Sequence, residues 1–164
     1  MTDGFKALSR GAARIDMNAR GRIVARGRDR ARLLHNLTSN EIKKMTAGSG
    51  CYAFLLSPQG RIQADLNLFC FADHFLLDTE PELREKVLGH IRKYIIADQV
   101  ELEDVSAQMG CIGAEGPGSA EAMKALGAHR EGLLKDAFWQ DDQFVDQYLW
   151  AFLDSRWASY LHPR

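Results

Sequence analysis

The chain has 164 residues, 46% of them hydrophobic and 26% charged, with a net charge of −1; this is the size and balance of one soluble, folded domain. No apolar run approaches the roughly 20 residues needed to span a bilayer, and the opening MTDGFKALSR lacks a signal peptide's apolar centre, so a cytoplasmic location is expected. Cys51, Cys70 and Cys111 are widely spaced in apolar surroundings, which suits buried thiols better than a disulfide framework or a metal cluster.

Charge is unevenly distributed along the chain. Residues 1–45 carry 11 Lys and Arg against 4 Asp and Glu, and the remainder carries 10 against 18. Arg20, Arg22, Arg26, Arg28, Arg30 and Arg32 form the densest cluster. It reads as a solvated basic edge or as a patch for polyanions, such as the glutamate tail of a folate-type cofactor. Between Phe5 and Tyr52 there is no aromatic residue, and a single-strand nucleic-acid surface needs stacking platforms, so nucleic acid is an unlikely partner.

In chain order, Ile15, Met17 and Ala19 alternate with polar residues, Arg20-Gly21-Arg22 offers a turn, and Ile23-Val24-Ala25 resumes, which predicts a hairpin. Asp29 is a candidate N-cap for a helix carrying Leu33, Leu34 and Leu37 on one face. A second short helical piece with Ile42 and Met45 runs to Gly48-Ser49-Gly50, which breaks it. Two strands follow, joined at Ser57-Pro58-Gln59-Gly60, a good type I turn. On the second of them Ile62, Ala64, Leu66 and Leu68 share one face, and Arg61, Gln63, Asp65, Asn67 and Phe69 the other. A turn at Ala72-Asp73-His74 adds a third strand and completes a meander.

Thr79 and Glu82 form a capping box with Pro81 early in the next helix, whose stripe is Leu83, Val87, Leu88, Ile91, Tyr94 and Ile95. Val100 and Leu102 alternate with Glu101 and Glu103 as a strand, Met109 to Ala114 suggests another, and Gly116-Pro117-Gly118-Ser119 leads into a helix ending near Leu126. Strands and helices joined in this way predict an α+β domain. From Asp141, the positions of Phe144, Val145, Tyr148, Leu149, Phe152 and Leu153 predict an amphipathic helix, with Trp139, Trp150 and Trp157 in or near it. Such a helix either docks on its own sheet or meets a partner or a second copy. The division expected is a module over residues 1–126 and a Trp-rich helical tail over residues 127–164.

Several chemistries are absent. The five histidines show no ligand spacing, so no metal is expected. There is no nucleophile elbow, phosphate loop or dinucleotide fingerprint. Asp65 is the conspicuous residue. Mid-strand aspartate is poor strand material, and an unpaired carboxylate is costly to bury. It needs solvent, a cation such as Arg61, or a ligand.

The ordered string from Ile23 through Gly27-Arg28-Asp29, Leu33-Leu34, Leu37-Thr38-Ser39-Asn40, Gly50, Ser57-Pro58-Gln59-Gly60-Arg61-Ile62 and Asp65-Leu66 resembles the N-terminal part of the glycine-cleavage T-protein (aminomethyltransferase) and YgfZ-type folate-binding superfamily. Val100 to Ser106 and Gly116-Pro117 extend the resemblance to about residue 126. It implies a truncated aminomethyltransferase folate-binding fold with tetrahydrofolate as the cofactor. The implied cofactor contacts are Tyr52, Asp65, Asn67, Asp78, Arg20 and Val24, with Asp65 as the catalytic carboxylate. Gly60-Arg61-Ile62-Gln63-Ala64-Asp65 keeps the last aspartate of the T-protein's Gly-Gly-hydrophobic-X-Asp-Asp sequence and replaces the one before it by alanine. Asp78 stands where the T-protein has asparagine. Gly50-Cys51-Tyr52 matches only the centre of the YgfZ Lys-Gly-Cys-Tyr-X-Gly-Gln-Glu signature, so Cys51 reads as a small apolar strand residue. The implied function is folate binding in one-carbon metabolism or iron–sulfur cluster maintenance. The alternatives are a non-catalytic interaction subunit, or half of an aminomethyltransferase completed by a partner. A self-contained enzyme is not expected.

Overall fold

The computed structural model describes residues 3–140 and 142–151. Their elements run α1 (Asp3–Arg10), β1 (Ala13–Asp16), β2 (Gly21–Arg26), α2 (Arg30–Leu37), β3 (Ser49–Leu56), β4 (Ile62–Cys70), β5 (His74–Thr79), a 3-10 turn (Pro81–Leu83), α3 (Arg84–Arg92), β6 (Glu101–Asp104), β7 (Ile112–Glu115), α4 (Ser119–Ala125), β8 (His129–Gln140) and β9 (Gln143–Ala151). The fold is α+β. The chain divides into two compact units. The larger spans Asn18–Gly110 and Gly132–Gln147, and the smaller combines the described residues of 3–17, 111–131 and 148–151.

The strand order β6-β2-β5-β4-β3-β8-β9 has its first five strands, most of β8 and the start of β9 in the larger unit. The predicted meander is its centre. β3 pairs antiparallel with β4 and β4 with β5, and the Gly60 N–H donates to the Ser57 carbonyl across the turn at 2.9 Å. Period-two alternation sends Ala64, Leu66 and Leu68 into the interior, while Ile62 lies at the strand's start, 60% exposed. Leu33, Leu34 and Leu37 of α2 and Val87, Leu88 and Ile91 of α3 join Ile23, Ala25, Leu66, Leu68 and Leu77 in one core. Each buried leucine or isoleucine there contributes about 1.5–3 kcal/mol. Both helices therefore cover the same sheet face, and the other face carries the polar residues of the strands.

Four local expectations are corrected. β1 and β2 are not a hairpin: β1 pairs with β7 in the smaller unit, while β2 lies between β5 and β6. Alternation identifies both as strands, but only long-range pairing chooses their neighbours. The Ile42–Met45 stretch is turn rather than helix, although Ile42 is fully buried. Thr79 does not cap a helix; it is buried, and its hydroxyl donates to the Asp65 carbonyl at 2.9 Å. Asp29 precedes α2 without a side-chain cap; its carboxylate instead accepts from the Gln99 N–H at 2.9 Å.

The tail is the largest correction. Among residues 142–151 there is no helix; instead β8 and β9 are neighbouring strands at one end of the sheet. Phe144 and Tyr148 are exposed while Val145 and Leu149 are half-buried, a period of two rather than 3.6. The physical cause is an open edge on β3. β8 pairs parallel to it at Ser49↔Leu133 and Gly50↔Leu134, and a side chain at Gly50 would lie 3.0 Å from the Leu134 methyl. Phe152, Leu153 and Trp157 lie outside the described residues, as does all of the expected tail beyond residue 151. The described part of the tail, 142–151, offers no helix for the contact with a partner or second copy expected of it.

Candidate functional site

The sheet face opposite α2 and α3 is organised by register. Tyr52 lies opposite Asn67, Asn67 opposite Asp78, and Asp78 opposite Arg22. One polar row thus crosses β3, β4, β5 and β2. On one side of it an apolar row runs Phe69, Leu76 and Val24, with exposures of 8%, 5% and 4%. On the other side Phe54 faces Asp65. Because side chains alternate at every residue of a strand, Tyr52, Asp65, Asn67, Asp78 and Val24 must share this face once the strands pair in this register.

Two hydrogen-bonded groups stand on it. The Tyr52 hydroxyl donates to Asp65 Oδ2 at 3.3 Å, and the Tyr52 ring meets Phe54 edge-on at 5.4 Å between centroids. Burial, followed by the charge and the hydrogen bond of Asp65, pushes the Tyr52 phenol above its ordinary pKa. The partner that the Asp65 carboxylate needs is therefore a phenol rather than Arg61.

The second group centres on Asp78. Arg20 Nε donates to Asp78 Oδ1 at 2.6 Å, and Arg20 Nη2 approaches the same oxygen at 2.6 Å. Asn67 Nδ2 donates to it at 3.3 Å, and Arg20 Nη1 also pairs with Glu80. Burial works against the Arg20 charge, but the Asp78 and Glu80 carboxylates more than offset it and raise its pKa. With side-chain exposures of 15% and 13%, Arg20 and Asp78 are a mostly buried pair. Arg20 thus already holds two carboxylates, and Val24 presents an apolar wall.

The structure therefore brings Tyr52 to Asp65, and Arg20 and Asn67 to Asp78, all on one face with Val24. Sequence reasoning missed Arg22 and Glu80. Arg22 is 2% exposed, and its Nη1 donates to the Met109 carbonyl at 2.7 Å. Its place on β2, out of phase with Ile23, was the available signal. Cys51 belongs to neither group. It packs against the core with its Sγ 3.7 Å from Met45 Sδ, and burial pushes its thiol up to about 11, which leaves it un-ionised and unreactive at neutral pH.

Asp65 offers an accepting carboxylate, half-buried, with one phenolic donor and an aromatic ring at its side. Such a group can accept N–H donors from a flat heterocycle or stabilise developing positive charge.

A family profile described as the GCVT N-terminal domain matches residues 1–138. The chain is 29% identical over 125 residues to a putative chloroplastic transferase of Arabidopsis thaliana, covering 76% of this chain and 29% of that protein. It is 28% identical over 119 residues to an aminomethyltransferase of Chloroherpeton thalassium, covering 72% and 33%. The glycine cleavage system aminomethyltransferase T of Bartonella henselae has a similar fold, with a TM-score of 0.66 at 18% identity over 71% of this chain and 32% of that one. The chain spans about a third of the length of the curated relatives it matches.

Proposed function

Because this chain belongs to the GCVT N-terminal domain family, and so is an aminomethyltransferase-like domain, we propose that the sheet face bearing Asp65 binds tetrahydrofolate. The observation that carries this reading is the mid-strand Asp65 carboxylate on the face away from the helices, paired among the described residues only through a long hydrogen bond of 3.3 Å from Tyr52. A carboxylate so placed keeps capacity to accept N–H groups from a reduced pterin. Phe54 and Tyr52 provide ring surface beside it, and Val24 an apolar wall.

The fit is uneven across the face. Asp78 Oδ1 is already taken by Arg20 and Asn67, so these three act as a brace that sets the strand end rather than as direct contacts. Bound tetrahydrofolate would supply the nitrogen that takes up a one-carbon unit. Asp65 would hold the ring and stabilise cationic charge next to it, the role proposed for it as catalytic carboxylate. A place in one-carbon metabolism or in iron–sulfur cluster maintenance of the YgfZ type follows only if the cofactor binds.

Calorimetric titration with tetrahydrofolate tests the reading. One-site binding is expected, with Asp65→Ala weakening it about tenfold or more through loss of a charged acceptor, while Tm stays unchanged. No heat at high micromolar ligand, or unaltered affinity in Asp65→Ala, refutes it.

A second reading keeps the same family fold as half of an aminomethyltransferase. The match covers about a third of each relative, and in this reading a partner, whether a separate chain or a second copy, contributes to the transfer site. Activity with methylene-loaded H-protein that appears only when such a partner is added would support this reading. Partner binding without folate binding would instead leave a non-catalytic interaction subunit.

A further inference from the structure

A concavity of the larger unit lies away from Asp65. It has a volume of about 330 Å³ between α2, the β3–β4 turn and the segment after α3. That is at the lower end of the range for small-molecule sites. Leu33 and Leu37 of α2, with Leu56 and Pro58, supply its apolar surface, and the Tyr94 ring forms one wall. The wall is held in place: Tyr94 packs on His90 at 5.1 Å between centroids, and the His90 ring is tied to the Leu56 carbonyl at 3.0 Å.

Charge decides what the cleft can take. The cation on its rim, Arg32, is engaged by Asp98 at 2.6 Å and Asp29 at 3.3 Å. No uncompensated positive charge is left there for a phosphate or carboxylate. The polar groups left without a partner among the described residues are neutral: the Asn36 amide, one turn beyond Arg32 on α2, and the Tyr94 hydroxyl. A primary amide presents a donor beside an acceptor, which is complementary to a ring edge carrying the same pair reversed. Leucine, proline and tyrosine surfaces suit a face of such a ring.

We infer that this cleft is a binding site for an uncharged nucleobase-type heterocycle, read along its edge by Asn36 and lined by Leu37, Pro58 and Tyr94. It is independent of the folate reading and uses none of the same residues.

The test is an amide NMR titration of the full chain with adenosine to about 5 mM, a weak-binding range appropriate to a small fragment. The expected result is saturable shifts at the Asn36 side-chain amide and around Leu37, Leu56 and Tyr94, with Tyr52, Asp65 and Asn67 unmoved. Asn36→Ala, an exposed position that should not disturb folding, is expected to weaken binding about tenfold. Asn36→Trp, which fills the cleft, should abolish it. The absence of shifts, shifts confined to the Asp65 face, affinity indifferent to Asn36→Ala, or tighter binding of AMP than of adenosine would each overturn the inference. Of these outcomes only shifts confined to the Asp65 face would bear on the folate reading, and they would favour it; the others leave it untouched.

Discussion

At the residue scale, two ionisable side chains report directly on their surroundings. The Tyr52 phenol is raised by burial first and by Asp65 second. Asp65→Asn should therefore bring its titration down toward the ordinary tyrosine value without reaching it, measured as the difference in phenolate absorbance between variant and parent. An unchanged curve would mean that the pair at 3.3 Å does not form in solution. Cys51 tests the other sheet face. Its thiol rises from 9.0 to about 11 through burial, so the folded chain holds that proton more tightly than the unfolded chain. The associated stability is intact below pH 9.0 and is lost as pH climbs toward about 11. Cys51→Ala should flatten the fall in Tm across that window; identical profiles would refute burial as the cause. Both residues were visible in the sequence. Cys51 was readable as a strand filler from its apolar neighbours alone, whereas the phenolic partner of Asp65 was not, because a residue 13 positions away becomes adjacent only through strand pairing.

At the element scale, the connections carry more of the specification than the strands do. Gly27 ends β2 with φ +106, and a β-carbon there would lie 2.0 Å from the Gln99 carbonyl oxygen. Gly27→Ala should therefore cost well over the ~1–3 kcal/mol of backbone strain alone, measured by denaturant unfolding; a neutral result would show that the Asp29–Gln99 junction can move aside. The brace at the end of β5 makes a second case. Arg20→Ala leaves the mostly buried Asp78 carboxylate with Asn67 as its remaining partner in the group, and removing one member of a buried pair costs roughly 3–5 kcal/mol at full burial, so about 2–3 kcal/mol is expected for this partly hydrated one. Tetrahydrofolate affinity should fall less than with Asp65→Ala if Arg20 braces rather than binds. The central strands and α2 were legible because alternation and helical spacing are local signals. The capping box was not, because Thr79 is drawn into the sheet by the Asp65 carbonyl, a contact between strands that local spacing cannot express.

At the scale of the whole molecule, the core joins α2 and α3 to the middle of the sheet. The slowest hydrogen exchange should accordingly fall on Leu66, Leu68 and Leu77, all 1% exposed or less, and the fastest on β9 at the end of the strand order. Uniform protection across the sheet would contradict a core centred on β4 and β5. The amino-acid sequence by itself determined the α+β class, the meander from β3 to β5, the apolar faces of α2 and α3, and the presence of an out-of-place carboxylate at Asp65, since each depends on periodicity within a few residues. Only the tertiary structure decided that β1 leaves β2 for β7, that residues 129–140 and 143–151 form strands instead of a helix, and that Tyr52, Asn67, Asp78 and Arg22 stand in one row. Those outcomes depend on which strand edges are free and in what register they meet, and that choice is made by contacts between distant segments rather than by the propensity of either one.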